Sequence, residues 1–278
     1  MTISWYPGHM AKAKRQLQEQ LTRADVVIEV CDARIPLSSR NPDLDQMVQY
    51  KQRIVLLNKA DLADPGLTQA WSEHFKAQGL TVLALNSLRS ANKVVPLIEA
   101  AAKQKIENAQ KRGIKKTVRA MVVGVPNVGK STLINLIKGK STIKTADMPG
   151  VTRSTTWFRV TPYLELMDSP GLLWPKLEDP LVAQRLAYIG SIRDQVHDTL
   201  QLCLNLLDEL MNTHADMLLA RYKLTDPTLR GEKLLEAICL GRGFLVRGGE
   251  LDIERGIMAV LDEFRGGKIG RITLEAPQ

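Results

Sequence analysis

The chain lacks most of the features that assign a sequence to a class at sight. No apolar run reaches the roughly 18 residues that a membrane-spanning helix needs, and the start, MTISWYPGHMAKAKRQ, has no apolar core of the secretory type. An Arg/Ser-rich transit segment is missing as well. The three cysteines, Cys31, Cys203 and Cys239, have neither paired spacing nor an accompanying histidine pattern, which excludes a disulfide or zinc framework. They read as small buried hydrophobes. No internal repeat and no low-complexity tract is present. Together these absences predict a soluble, cytoplasmic protein with no membrane partner. A length of 278 residues with 44% hydrophobic content is enough for one large or two modest domains.

Charge is uneven along the chain. Residues 1–179 carry 26 Lys+Arg against 16 Asp+Glu, whereas residues 180–278 carry 12 against 14. The densest basic stretch is KQKIENAQKRGIKKTVR, where Lys103, Lys105, Lys111, Arg112, Lys115, Lys116 and Arg119 face a lone Glu107. Such a run is more often a solvated linker or helix face than a binding site, although nucleic acid is the partner it would suit.

Apolar, β-branched runs recur at 25–33, 53–61, 80–87, 118–126 and 163–171, several ending in polar or glycine-rich turns. Amphipathic stretches separate them. DPGLTQAWSEHFKAQG is one, with Asp64 as cap, Pro65 in the first turn and Gly79 as stop. The alternation predicts an α/β fold with a mostly parallel sheet covered on both faces, and ligands at the carboxyl ends of its strands. From residue 180 the pattern turns helical, in DPLVAQRLAYIG, VHDTLQLCLNLLDELMNTH, GEKLLEAICLG and DIERGIMAVLDEFRGG. We therefore expect a first domain over 1–179, with an amino-terminal arm over 1–20 and a basic linker over 103–119. A small all-helical domain over 180–278 follows, the expected RNA or ribosome contact. There Arg242, Arg247, Lys268 and Arg271 offer a local basic patch.

The strongest motif is GVPNVGKST, residues 124–132, which fits G-x-x-x-x-G-K-[ST] between a strand and a helix. Gly129 and its neighbours Asn127 and Val128 let backbone N–H groups approach phosphates, Lys130 supplies a positive charge, Ser131 offers its hydroxyl to magnesium, and Thr132 continues the loop. DSPG lies 44 residues after Gly124 and places Asp168 for the magnesium shell and the Gly171 amide for the γ-phosphate. Between them, PGVTRSTT carries Thr152, the favoured magnesium ligand, with Thr155 and Thr156 as alternatives. A base-reading motif, NKAD, stands 66 residues before Gly124. Asp61 there can accept two hydrogen bonds from guanine N1–H and the 2-amino group, each contributing about 1.5–3 kcal/mol. A site built on such donors rejects the wrong base by about four orders of magnitude. Asn58 either meets the purine's other edge or ties loops together, and the Lys59 stem covers the ring. LNSL, with Asn86 and Ser87, resembles the loop behind guanine O6.

The usual GTPase order, phosphate loop first and base-reading motif last, is rotated here. This is a circular permutation, in which the basic segment 103–119 joins the old end to the old beginning, and the segment after Asp168 leads outward through LLWPKLEDP. With WYPGHMAKA, GVPNVGKSTLIN, PGVTRSTTW, DSPGLLWPK, GGELDIERG and FRGGKIGRITLE, the chain resembles the circularly permuted ribosome-assembly GTPases over essentially its whole length. Among these it is most similar to the bacterial ribosome biogenesis GTPase A branch.

That resemblance implies GTP and GDP as ligands, Mg²⁺ as cofactor, and late precursors of the large (50S) ribosomal subunit and ribosomal RNA as partners, with release after hydrolysis. Many regulatory GTPases carry a water-orienting glutamine after D-x-x-G, where this chain has Leu172 and Leu173. Intrinsic turnover is then slow, on the order of 10⁻⁴ per second or below, and a group supplied on the ribosome must raise it. The resemblance assigns that role to His9 of PGHM; the bland alternative is a residue packing a helix start. It also implies that Asn127 helps bind K⁺, the alternative being a loop-stabilising amide. A catalytic set of His9, Lys130, Thr152 and Gly171 follows, in a protein expected to be a monomer. The rival reading is a GTP-dependent RNA-binding scaffold whose hydrolysis is not needed for release.

Overall fold

The computed structural model describes residues 7–139, 157–169, 179–192 and 198–277, with side chains from residue 15 onward. Six strands form one sheet: β1 (Val26–Asp32), β2 (Gln52–Asn58), β3 (Thr81–Ala84), β4 (Val118–Val123), β5 (Phe158–Thr161) and β6 (Leu164–Asp168). Their order is β3-β2-β1-β4-β6-β5. All neighbours are parallel except β5, which runs antiparallel to β6 with an irregularity between Arg159 and Thr161. The five predicted strands are all present. The four-residue edge strand β5 was not foreseen, being too short to show a period.

Strand ends differ from the hydrophobic runs for local reasons. The run over 53–61 stops pairing at Asn58 because Lys59 turns left-handed, with φ 58°. That over 118–126 stops at Val123 because Gly124 takes φ 149°, a conformation that only glycine adopts readily.

Eleven α-helices complete the described residues. Before and between the strands lie α1 (Pro7–Thr22), α2 (Pro42–Met47), α3 (Pro65–Ala77), the single turn α4 (Ser87–Ser90), α5 (Val94–Gln110) and α6 (Lys130–Gly139). After the sheet come α7 (Pro180–Tyr188), α8 (Thr199–Thr213), α9 (Ala215–Tyr222), α10 (Gly231–Arg242) and α11 (Ile253–Arg265). Helix α3 starts as its sequence dictates: the Asp64 carboxylate accepts from Leu67 N, Pro65 opens the helix, and Gly79 with φ 81° follows its end. The basic stretch from Lys103 is the last part of α5 and the turn into β4, and it is anchored: Lys105 and Lys116 pair with Asp25 at 2.6 and 3.3 Å.

Period-two alternation sends β1 side chains to opposite faces. Val26, Ile28 and Val30 join Ile54, Leu56, Ala120 and Val122 in a cluster that continues through Ile98, Leu133, Leu186, Leu206, Ile238 and Val260. On the other face Val27 packs with Leu17, Leu21, Met121 and Met167, and Cys31 with Val55, Leu57, Trp71 and Phe75. The later helices thus share one apolar cluster with the sheet. Ile257, Val260, Leu261 and Phe264 of α11 form its stripe at helical spacing, each contributing roughly 1.5–3 kcal/mol when buried. All three cysteines are buried.

Strand order reverses between β1 and β4, the chain stepping outward to β3 and then back. In open α/β sheets that reversal opens a crevice at the carboxyl ends of the strands. Four of the motifs leave the sheet at that edge.

Candidate functional site

The loop after β4 is shaped by two glycines. A Cβ on Gly124 would stand 2.4 Å from the Val30 carbonyl oxygen, and one on Gly129, with φ 99°, 2.4 Å from Asn58 Nδ2. No other residue lets the loop pass so close to β1 and to Asn58. The loop ends on α6, whose first turn offers unpaired backbone N–H groups, the ordinary means of holding phosphate. Lys130 opens that helix, 6% exposed, and its Nζ donates to Val125 O at 2.7 Å across the loop. Burial pushes the Lys130 ammonium down to about 8, with Asp168 pulling the other way.

Beside it, Ser131 Oγ donates to Asp168 Oδ2 at 3.3 Å. Asp168 Oδ1 is buried and has no hydrogen-bond partner among the described residues, and burial raises its carboxyl pKa against the pull of Lys130 and Ser131. An orphaned carboxylate oxygen next to a hydroxyl is a fitting start for a hard, oxygen-seeking cation, which would satisfy it and keep the group ionised. Ser131 and Thr132 are exposed, whereas Val128 is fully buried.

The base-reading motif sits one strand beyond β1. Asn58, 3% exposed, donates from Nδ2 to Val128 O at 2.7 Å, while its Oδ1 accepts from Ser87 N and Ser87 Oγ at 3.0 and 2.7 Å. These bonds are the loop-tying one of the two roles open to Asn58. One side chain ties together the loops after β2, β3 and β4. Lys59 Nζ donates to Asn127 O at 2.7 Å and pairs with Asp32 Oδ2 at 3.0 Å, which runs its stem along the same edge. Asp61 follows, exposed. Asn86 caps α4 by accepting from Leu88 N at 2.8 Å.

Groups far along the chain hold the phosphate loop from outside. Asn127 Nδ2 donates to Gly190 O, just past α7, and Ser191 Oγ donates to Pro126 O at 2.6 Å. The amide of Asn127 thus stabilises the loop. Arg265, at the end of α11, donates to Tyr188 O and Ala187 O at 3.0 and 3.1 Å. Within the expected basic patch, Arg242 instead pairs with Glu263 at 3.0 Å, and Arg271 donates to Ala63 O and Ala60 O at 3.0 and 3.2 Å.

The sequence reading missed Asp32 and Arg34, which lie in CDARIP at the end of β1. The Asp32 carboxylate takes Arg34 Nε and Nη2 at 2.8 Å each. Burial alone would raise its pKa, but Arg34 and Lys59 outweigh that and hold it well below the usual carboxylate range. An acid ending a buried central strand, at the edge where the motifs gather, was the available signal. Thr152 and Gly171 lie outside the described residues, as do Thr155, Thr156, Leu172 and Leu173. His9 falls within α1, with its side chain outside the described set.

The chain is similar to several known proteins. Residues 119–230 match the family described as 50S ribosome-binding GTPase. Ribosome biogenesis GTPase A of Bacillus cereus is 42% identical, over 100% of this chain and 95% of its own. Its namesake from Thermotoga maritima is 33% identical, over 99% and 95%. Mitochondrial ribosome-associated GTPase 1 of Ictalurus punctatus is 32% identical, over 98% and 92%. Among solved structures, GNP-bound YlqF from T. maritima superposes with a TM-score of 0.68 at 28% identity, covering 96% of this chain and 99% of that one.

Proposed function

We propose, starting from the fact that this chain belongs to the ribosome biogenesis GTPase A family, that it binds and hydrolyses GTP to drive late assembly of the large ribosomal subunit. It would engage precursor particles through ribosomal RNA, as a monomer in the cytoplasm, and leave after hydrolysis. The observation that carries this reading is the Asn58 tie to Val128 and Ser87. It supports a single nucleotide site made from motifs that the sequence presents in rotated order. Among the described residues no helix is long and apolar enough to cross a membrane.

In this reading Asp61 selects guanine, with Lys59 against the ring and Ser87 behind it. Lys130 and the N–H groups of Asn127–Thr132 hold the phosphates. Ser131 and Asp168, with Thr152, would hold Mg²⁺, which supplies charge neutralisation at the β- and γ-phosphate oxygens. Gly171 meets the γ-phosphate through its amide. Water attacks the γ-phosphorus while the bond to the β-phosphate oxygen breaks, giving GDP and phosphate, and His9, in the first turn of α1, orients that water when ribosomal RNA brings it to the site. The Asn127 nitrogen is committed to Gly190, so K⁺, if used, meets the amide oxygen.

GTP turnover in K⁺ and in Na⁺, with and without purified large subunits, tests the proposal, alongside binding to precursor particles. Stimulation by subunits and loss of it in His9→Ala are the expected results. Turnover that neither large subunits nor their precursors change would overturn the ribosomal role, and equal rates in the two salts would remove K⁺.

A further inference from the structure

The base-reading loop has a brace that no motif announces. After α11, the chain over 266–275 returns to the sheet edge and lies between the loops following β1 and β2. Ile272 N donates to Leu62 O at 3.1 Å, and Leu274 N donates to Arg34 O at 2.8 Å. Thr273 Oγ1 accepts from Asp64 N at 3.1 Å and donates to Ala33 O at 3.2 Å. Arg271 spans Ala60 O and Ala63 O. The close pass requires Gly267, whose φ is 68° and where a Cβ would stand 2.7 Å from Leu62 Cδ2. Four main-chain groups flanking Asp61, those of Ala60, Leu62, Ala63 and Asp64, therefore bond to residues 271–273.

Asp61 itself is exposed, so the direction of its carboxylate follows from the path of the backbone beneath it. That path is fixed on one side by Ala60 N donating to Leu85 O at 3.2 Å, and on the other by the returning segment. The segment's start is anchored in turn. Arg34 Nη1 donates to Phe264 O and Arg265 O, both at 3.0 Å, at the end of α11. The same guanidinium grips Asp32, which holds Lys59.

We propose that the segment over 266–275 is a positioning element for guanine recognition, with Arg271 and Thr273 setting where Asp61 presents its carboxylate. This inference rests on Asp61 reading the base. By linkage, binding of guanine and docking of this segment then reinforce each other, so occupancy of the base site is felt at the end of α11.

The test is affinity for GDP and IDP on the full chain, for wild type, Arg271→Ala, Thr273→Val and Asp61→Asn. Hypoxanthine lacks the 2-amino group, so the GDP:IDP ratio reports alignment of Asp61 independently of how the phosphates are held. We expect Arg271→Ala to weaken GDP about 5–10-fold and to lower the ratio, with Thr273→Val moving both the same way by less. A merely structural role would lower the melting temperature and leave the ratio unchanged. Wild-type ratios in both brace variants, with GDP binding lost in Asp61→Asn, would overturn the inference. GDP binding retained in Asp61→Asn would instead overturn the base-reading assignment. Thr273→Val carries the test alone if Arg271→Ala does not fold.

Discussion

The phosphate loop and the base-reading loop share one edge of the sheet, yet they are held there by different parts of the chain. Lys130 closes on Val125 five residues away, and Ser131 meets Asp168 at the end of a strand that pairs directly with β4. The base-reading loop rests on residues more than two hundred positions later, through Arg271, Ile272 and Thr273. Circular permutation gives this contrast its meaning. With the base-reading half ahead of the phosphate half in the chain, the two are tied by Asn58 within the sheet, and the returning segment braces the first from outside it.

Substitutions that strike one side at a time sharpen the comparison. Arg34→Met, which takes the guanidinium from the buried Asp32 carboxylate and leaves it Lys59 and the backbone N–H of residue 34, should cost roughly 3–5 kcal/mol in urea unfolding because Arg34 joins β1 to the end of α11. An unfolding midpoint like that of wild type would show the joint to be idle. Lys130→Met should weaken GDP, IDP and XDP alike by roughly 100-fold, since it removes a phosphate contact and leaves the base loop intact. Unequal losses across the three bases would break the division of labour. Gly129→Ala strikes both halves, forcing a Cβ onto Asn58 at a left-handed φ; stability should fall by about 1–3 kcal/mol, and affinity for every nucleotide should fall with it.

A smaller effect concerns pH. Asp32 titrates below its ordinary 3.8 in the folded protein, so around pH 4 the unfolded chain binds more protons and stability rises with pH. The contribution is complete above the unfolded value and is lost as pH falls from about 4 toward the lower folded value. Wild type should lose stability in that window relative to Asp32→Asn, and parallel unfolding curves for the two would contradict the assignment.

The contrast also explains what the sequence disclosed. Gly124 to Ser131 and Asn58 to Asp61 are short, contiguous patterns whose residue types follow from phosphate and guanine chemistry, and they stand where the reversal of strand order puts them. Asp64, Pro65 and Gly79 announced α3 by local rules alone. What stayed hidden was tertiary. Nothing near Arg271 hints that its guanidinium will find Ala60 and Ala63, and Arg242, read with it as a patch for RNA, spends its charge on Glu263. Asn58 had two roles open to it, and its part in tying the loops depends on Ser87 and on Val128, 70 positions later, neither of which is near it in sequence.

The account stands most directly on one titration: GDP and XDP binding to wild type and to Asp61→Asn. Asparagine cannot accept both guanine donors, but its amide N–H can donate to the oxygen that xanthine carries in place of the 2-amino group. The account predicts that Asp61→Asn loses GDP by about 10³-fold and gains XDP, with Lys130 and the phosphate loop serving both. Unchanged GDP affinity, or loss of both nucleotides together, would contradict the claim that a base-reading half placed first in the chain completes a phosphate site placed second.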